Sequence, residues 1–345
     1  MSAGAAPAEA PTGGQGYQAA VGGLAVFDRS DRTRLRVSGR APRQMLNGIL
    51  TGTIPAPPEE ASGGARGGIA TYHAVLTPKG RMISDLWAFL IGDEESEGFI
   101  LDVPAAGAHA LSEHLAKVLP PRFARLEDVS ETTGMLAVVG PDAAATLSRI
   151  AFGLRLESAD LESLEEGAWR ITGSAPTGLA VARTREVRPD AYWVLGARAA
   201  VRALRDRLIE GGGVAADAEA WRTLRVAAGR PEFGSDMTDA TIPVEAGIQD
   251  RAIDYQKGCY TGQEVIVRIR DRGHVNRHLR RLMLGDVAVP EPGTELFMPG
   301  DDAKAVGWIT SAARSPADDG VVALAYVRRG VDRVVIAGHE VVVES

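Results

Sequence analysis

The chain has one cysteine in 345 residues, Cys259, few aromatic residues and no long apolar run. A lone thiol excludes an intramolecular disulfide framework, and it excludes an iron–sulfur cluster held by four thiolates of this chain. It is compatible with a reducing compartment, and the protein is expected to be cytoplasmic. No hydrophobic stretch approaches the ~20 residues that cross a bilayer, so no membrane partner is expected. The first twenty residues hold neither Lys nor Arg. They lack the basic region and apolar block of a secretory signal and the arginines of a mitochondrial presequence. A GxGxxG after a strand, a phosphate-binding loop and a Gly-x-Ser-x-Gly elbow are all missing, which leaves nucleotide-dependent and serine-hydrolase classes without support. The net charge of −7, from 45 acidic and 38 basic residues, argues against a general nucleic-acid coat protein, and no direct nucleic-acid partner is expected.

What is present organises itself by period and punctuation. Residues 1–20, rich in Ala, Gly and Pro, read as a disordered tail. Strand-like alternation covers residues 24–37, and a short helix follows near 42–50. The Pro- and Gly-rich stretch 55–68 reads as an inserted mobile segment. Residues 70–76 and 82–90 are extended runs joined by Thr77-Pro78-Lys79-Gly80, whose proline and glycine fit a tight turn, so this is a hairpin. Ala108, Leu111, Leu115 and Val118 have helical spacing, and Pro120-Pro121 stops that helix. Strands near 135–139, 169–172, 179–183 and 192–195 alternate with helices near 143–152 and 199–209. A further helix, N-capped by Asp217, runs to about residue 228. This is an α+β pattern rather than a regular parallel array. After Arg277 only short apolar runs remain, separated by Pro, Gly and Asp turns, which indicates a small antiparallel β-barrel. The expected division is a tail at 1–20, an α+β region at 21–276 with an inserted subdomain at about 52–130, and a C-terminal β-barrel at 277–345.

The cysteine lies in Lys257-Gly258-Cys259-Tyr260-Thr261-Gly262-Gln263-Glu264. The thiolate is the reactive form, and a nearby ammonium favours it, so Lys257 is a candidate activator; Gly258 and Gly262 permit a tight turn close to a ligand. The dull alternative is an inert packed thiol, although this run is polar and glycine-rich. The eight residues resemble the signature of the YgfZ family of folate-binding iron–sulfur assembly proteins, a branch of the superfamily that includes the glycine-cleavage T-protein, an aminomethyltransferase. Supporting stretches are Ala228-Gly229-Arg230-Pro231, Thr241-Ile242-Pro243-Val244-Glu245-Ala246-Gly247-Ile248 and the basic run after the signature. One departure stands out: the superfamily's Leu-Thr-Asn-Asp element here reads Leu50-Thr51-Gly52-Thr53, without the amide and the carboxylate.

The resemblance implies a T-protein-like folate-binding region of two intertwined α+β subdomains plus the C-terminal barrel. It implies tetrahydrofolate as cofactor, and iron–sulfur client or carrier proteins as partners, including enzymes that modify tRNA. It implies reactive or catalytic roles for Cys259, Lys257 and Asp85, and folate-side roles for Glu245, Arg268, Arg272, Tyr260, Gln263 and Glu264. On composition alone Glu245 is a solvated loop glutamate and Asp85 an edge-strand charge. The arginines equally suit a folate's glutamate tail, RNA, an acidic partner or a solvated linker face. His274 and His278 are four apart, but Gly273 points to a loop and no metal site is expected. Trp87, Trp221, Trp308 and Tyr72 read as core aromatics. The function implied is tetrahydrofolate-dependent assembly or repair of iron–sulfur clusters; the rivals are a folate-dependent aminomethyltransferase and an interaction module that binds an acidic partner.

Overall fold

The computed structural model describes residues 13–61, 64–92, 98–152, 156–172, 178–301 and 303–343. Two sheets of the N-terminal region share one chain in an interleaved way. In the larger sheet the strands run in the order Val214–Ala216, Ala25–Asp28, Thr133–Val139, Ala191–Ala197, Leu179–Thr184, Ala168–Thr172, Arg66–Ile69 and Glu59–Glu60. In the second the order is Thr71–Leu76, Met82–Leu90, Phe99–Val103, Thr33–Ser38 and Arg125–Asp128. The expected inserted subdomain therefore borrows a strand, Thr33–Ser38, from before its expected start. The segment expected to be a mobile insertion returns two strands to the larger sheet, where Arg66–Ile69 pairs with Ala168–Thr172. Glycine makes this close pairing feasible: a Cβ on Gly67 would lie 2.6 Å from the Trp169 carbonyl oxygen.

The hairpin Thr71–Leu76/Met82–Leu90 forms as its alternation and turn residues require, and nearly every residue of its second strand is buried. The reason is that both faces are covered. Trp87 and Phe89 join the core between the two sheets, while Leu86, Ala88 and Leu90 pack against the helix Ala105–Val118 side, with Leu111 and Leu115. Asp85 shares a strand face with Trp87 by the two-residue period, so it points toward the space between the sheets.

The N-terminal expectation needs correction. Residues 1–12 lie outside the described residues, but Gly13–Gly22 is a helix with Tyr17 and Ala20 buried. Small residues allow it to dock closely: a Cβ on Gly16 would come 2.8 Å from the Ala216 Cβ. Low complexity here serves packing rather than disorder.

The C-terminal strands Arg277–Gly285, Gly320–Arg328, Gly307–Ser315 and Glu295–Leu296 form an antiparallel sheet. It curls around its own apolar core, and the hairpin Arg333–Ile336/His339–Val342 adds to it through a Phe297–Val335 bridge. A buried polar latch fixes this unit to the rest. Thr310 donates to Asp236 Oδ1 at 2.5 Å, while Arg225 reaches Asp236 Oδ2 at 2.6 Å and Ser311 Oγ at 3.1 Å.

Candidate ligand cavity and thiol loop

A small cavity of about 30 Å³ lies where the two sheets face each other. Its aromatic walls are Tyr72, Trp87, Trp193 and Trp221; its charged lining includes Asp85, Glu186, Arg29 and Arg32. Trp193 and Trp221 stand 5.3 Å apart between ring centroids, tilted by 39°, and Tyr72 faces its cross-strand neighbour Trp87 at 5.4 Å. Three of the chain's five tryptophans thus line one space. Of those expected as core aromatics, Tyr72, Trp87 and Trp221 are buried and also present faces to the cavity, whereas Trp308 is half-buried in the C-terminal sheet, away from it.

Asp85 is the centre of the electrostatics. The Tyr72 hydroxyl donates to its Oδ2 at 2.5 Å, while Oδ1 is buried without a hydrogen-bond partner. Burial penalises the carboxylate and raises its pKa from 3.8 to about 6, although the Tyr72 bond and the Arg32 charge oppose the rise. Glu186 behaves oppositely. Burial would raise its pKa, but the Arg251 guanidinium donates to it at 2.7 Å and holds it below the usual range. Arg251 also reaches Glu166 at 2.6 Å and lies over the Tyr72 ring at 4.8 Å. Arg32 is tied to buried Asp102 at 2.6 Å, and Arg29 sits 4.3 Å above the Trp221 ring. Two carboxyls of divergent acidity therefore share one hollow with aromatic walls and arginines, an arrangement typical of functional sites.

The cysteine run forms a separate feature. Cys259 is exposed and is not part of the cavity lining. Lys257 turns its ammonium to the carbonyl oxygens of Leu50 and Gly52, 2.7 Å each, and burial lowers its pKa to about 8. It is thus a strut that anchors the loop. Gly52 in turn donates its N–H to His73 Nδ1 at 3.0 Å, and a Cβ there would sit 3.0 Å from that nitrogen and 3.1 Å from the Tyr72 carbonyl oxygen. The departure from Leu-Thr-Asn-Asp has a local reason: position 52 has no room for a side chain, and Thr53 instead bonds Asp254 at 2.7 Å. Of the two signature glycines, Gly262 is needed, with φ +84° and an added Cβ 2.7 Å from the Thr77 carbonyl oxygen; nothing crowds Gly258.

Tyr260 is buried in the core, its hydroxyl pKa pushed to about 12 by burial. Gln263 and Glu264 open the helix Gln263–Arg272, on which Arg268 and Arg272 are exposed. None of these five lines the cavity. Glu245 also lies away from it, bonded to Arg277 at 3.3 Å and carrying Leu279 N–H on its carbonyl at 2.7 Å. It docks the C-terminal sheet, so the expectation that it faces a pterin in the central cavity is corrected; the cavity carboxyls are Asp85, Glu186 and Glu232. Among the expected residues, only Asp85 is in the cavity. Glu186, Arg29, Arg32, Trp193 and Arg251 were missed because no short motif joins them. The scarcity of tryptophan was the available signal.

The fold and cavity define a member of the T-protein class of α+β architectures. The family model described as GCVT N-terminal domain matches residues 11–257, and the chain belongs to that family. That match ends just before Cys259. An aminomethyltransferase of Corynebacterium jeikeium (strain K411) is 28% identical over 328 residues, covering 89% of this chain and 79% of its own length. One of Picosynechococcus sp. is 30% identical over 260 residues, covering 75% and 68%. The crystal structure of glycine cleavage system aminomethyltransferase T from Bartonella henselae has the same fold, with a TM-score of 0.77 at 20% identity over 96% of this chain and 88% of that one. No helix among the described residues is long and apolar enough to cross a membrane.

Proposed function

We propose that the central cavity binds tetrahydrofolate and that the protein, working in the cytoplasm, uses it with the Cys259 loop to assist assembly or repair of iron–sulfur clusters in client enzymes, tRNA-modifying ones among them. The observation that carries folate binding is the unpartnered, buried Oδ1 of Asp85 among aromatic walls. A pterin's aminopyrimidine edge supplies paired N–H donors for a carboxylate, and its flat ring suits the Trp193, Trp221 and Trp87 faces. Glu186, kept ionised by Arg251, is the second acceptor. Bound folate would supply a nitrogen that accepts a one-carbon unit. Asp85, its pKa raised to about 6, is placed to hold or yield a proton at the pterin edge it faces.

The cluster role is supported by the exposed Cys259, held out on a loop that Lys257 braces, and by the likeness of that loop to the YgfZ signature. The second reading, aminomethyl transfer to tetrahydrofolate, is favoured by the names of the curated relatives and needs Asp85 but no thiol. The loop, which that reading leaves without a task, sets the first ahead. The deciding experiment is complementation of a YgfZ-deficient bacterium, reading cluster-enzyme activity. Cys259→Ser should stay folded and fail to rescue. Equal rescue, or robust turnover of an aminomethyl-lipoyl carrier protein by the Ser variant, would put the transferase in its place.

A further inference from the structure

A stripe of positive charge runs from the thiol loop to the C-terminal sheet. The turn that ends at Gly80 packs against the start of the helix Gln263–Arg272, where a Cβ on Gly80 would lie 2.8 Å from Val265 Cγ1. Lys79 is exposed on that turn, and Arg268 and Arg272 are exposed along the helix. Ten helical residues span about 15 Å. Beyond the helix, the chain from Arg272 to Asn276 reaches at most about 14 Å further. There the Arg329 N–H donates to the Asn276 carbonyl oxygen at 2.9 Å, which brings exposed Arg328 and Arg329 to the end of the stripe. The side chains of Lys79, Arg268, Arg272, Arg328 and Arg329 have no hydrogen bond or ion pair among the described residues. Asp271 is taken up by Arg270 at 2.5 Å, which leaves Glu264 and Asp332 as the unpaired acids of these segments. The net charge of −7 argues against a coat protein, yet locally cations outnumber acids.

What the stripe lacks narrows its partner. The core of a protein–protein interface is apolar and rich in aromatic residues. The exposed large apolar side chains are Val21, Ile69, Val118, Val289 and Val342, and none belongs to these segments. The nearby rings are covered: Arg270 lies over Tyr255 at 4.7 Å and Arg277 over Trp308 at 4.9 Å. Unpaired bases therefore find no free ring to stack on, which disfavours a single strand. A row of unspent cations without either feature suits the spaced phosphates of a duplex, whose backbone contacts position without reading sequence. Between the helix and turn arginines, His274 and Asn276 are exposed. Side chains of these types can both donate and accept, as contact with a ribose 2′-hydroxyl requires, and only RNA carries that group.

We infer that this stripe docks the phosphate backbone of an RNA stem, recognised by charge and by its 2′-hydroxyls. The inference goes beyond the proposed function and depends on neither folate nor the thiol. The test is fluorescence anisotropy on the full chain with a labelled RNA hairpin of about twelve base pairs, the DNA hairpin of the same sequence, and a decaglutamate peptide. Wild-type affinity for the RNA should fall by at least about a hundredfold between about 50 and 200 mM salt, a log–log slope near −4 for five phosphate contacts. Arg272→Gln/Arg329→Gln should keep the melting temperature, bind at least about tenfold more weakly at the lower salt, and show a slope shallower by about 2. His274→Ala/Asn276→Ala should erase the preference for RNA over DNA. No salt-dependent RNA binding by wild type, or an arginine variant that binds like wild type, would overturn the stripe as an RNA site. Equal wild-type affinity for the two hairpins would overturn the 2′-hydroxyl assignment. Tighter binding of the decaglutamate than of the RNA would give the stripe to an acidic partner protein instead.

Discussion

Replacing Asp85 by Asn should stabilise this protein at neutral pH while weakening its ligand site. A carboxyl whose pKa rises from 3.8 unfolded to about 6 folded is harder to ionise in the fold. Between those values the native state binds more protons than the unfolded one, so the neutral carboxyl's contribution is fully present below 3.8 and is lost as pH rises through about 6. Above that window the ionised group costs roughly 3 kcal/mol, at about 1.4 kcal/mol per unit. Asn keeps the shape and still accepts the Tyr72 hydroxyl, but carries no charge. The variant should gain about 1–3 kcal/mol at pH 7.5, and the gain should fade to nothing near pH 4. Urea unfolding followed by tryptophan fluorescence measures this, because Trp87, Trp193 and Trp221 surround the site. Tetrahydrofolate titration of the same samples should show weaker binding, the opposite sign. A variant no more stable than wild type at pH 7.5, or equally advantaged at pH 4 and 7.5, would refute the reasoning.

Arg251→Met strips Glu186 and Glu166 of their shared partner, and removing one side of a buried pair should cost about 3–5 kcal/mol at pH 7. Because Glu186's folded pKa is depressed below 4.5, its share of stability is present above 4.5 and lost as pH falls through the folded value, so denaturation curves of the two proteins should converge in acid; a constant gap argues against this assignment. Gly262→Ala should destabilise by at least about 2 kcal/mol, from the left-handed backbone and the close Thr77 carbonyl. Gly258→Ala, with open space around it, should be near neutral; equal urea midpoints for the pair would contradict the turn geometry.

The elements legible in the sequence are those whose evidence is local. Asp217 caps its helix through Ala220 N–H as its residue type promised, and the Thr77–Gly80 turn closes the hairpin it was expected to close. The helix Gly13–Gly22 was hidden because its glycines lower local helix propensity while permitting the tight contact with Ala216 that sustains it. The cavity was harder still. Arg29, Asp85, Glu186, Trp221 and Arg251 come from five distant stretches, and only the interleaving of two sheets brings them together. Glu245 shows the reverse error. Its loop resembles the superfamily's sequence pattern, but nothing near it announces that Arg277, at the start of the C-terminal sheet, claims its carboxylate.

One strand connects the two features that sequence treated as one. Along Thr71–Leu76, Tyr72 faces the cavity and holds Asp85, while the next residue, His73, faces the other way. Burial and the Lys257 charge keep His73 neutral, its pKa near 3, so its Nδ1 accepts the Gly52 N–H at 3.0 Å. Gly52 gives its carbonyl to Lys257, two residues from Cys259. Between the cavity carboxyl and Lys257 there are therefore three hydrogen bonds joined by two backbone steps, from Tyr72 to His73 and across Gly52. Tyr72 and His73 project from opposite faces of one paired strand, so that strand holds the cavity carboxyl and the loop's strut in a fixed relation.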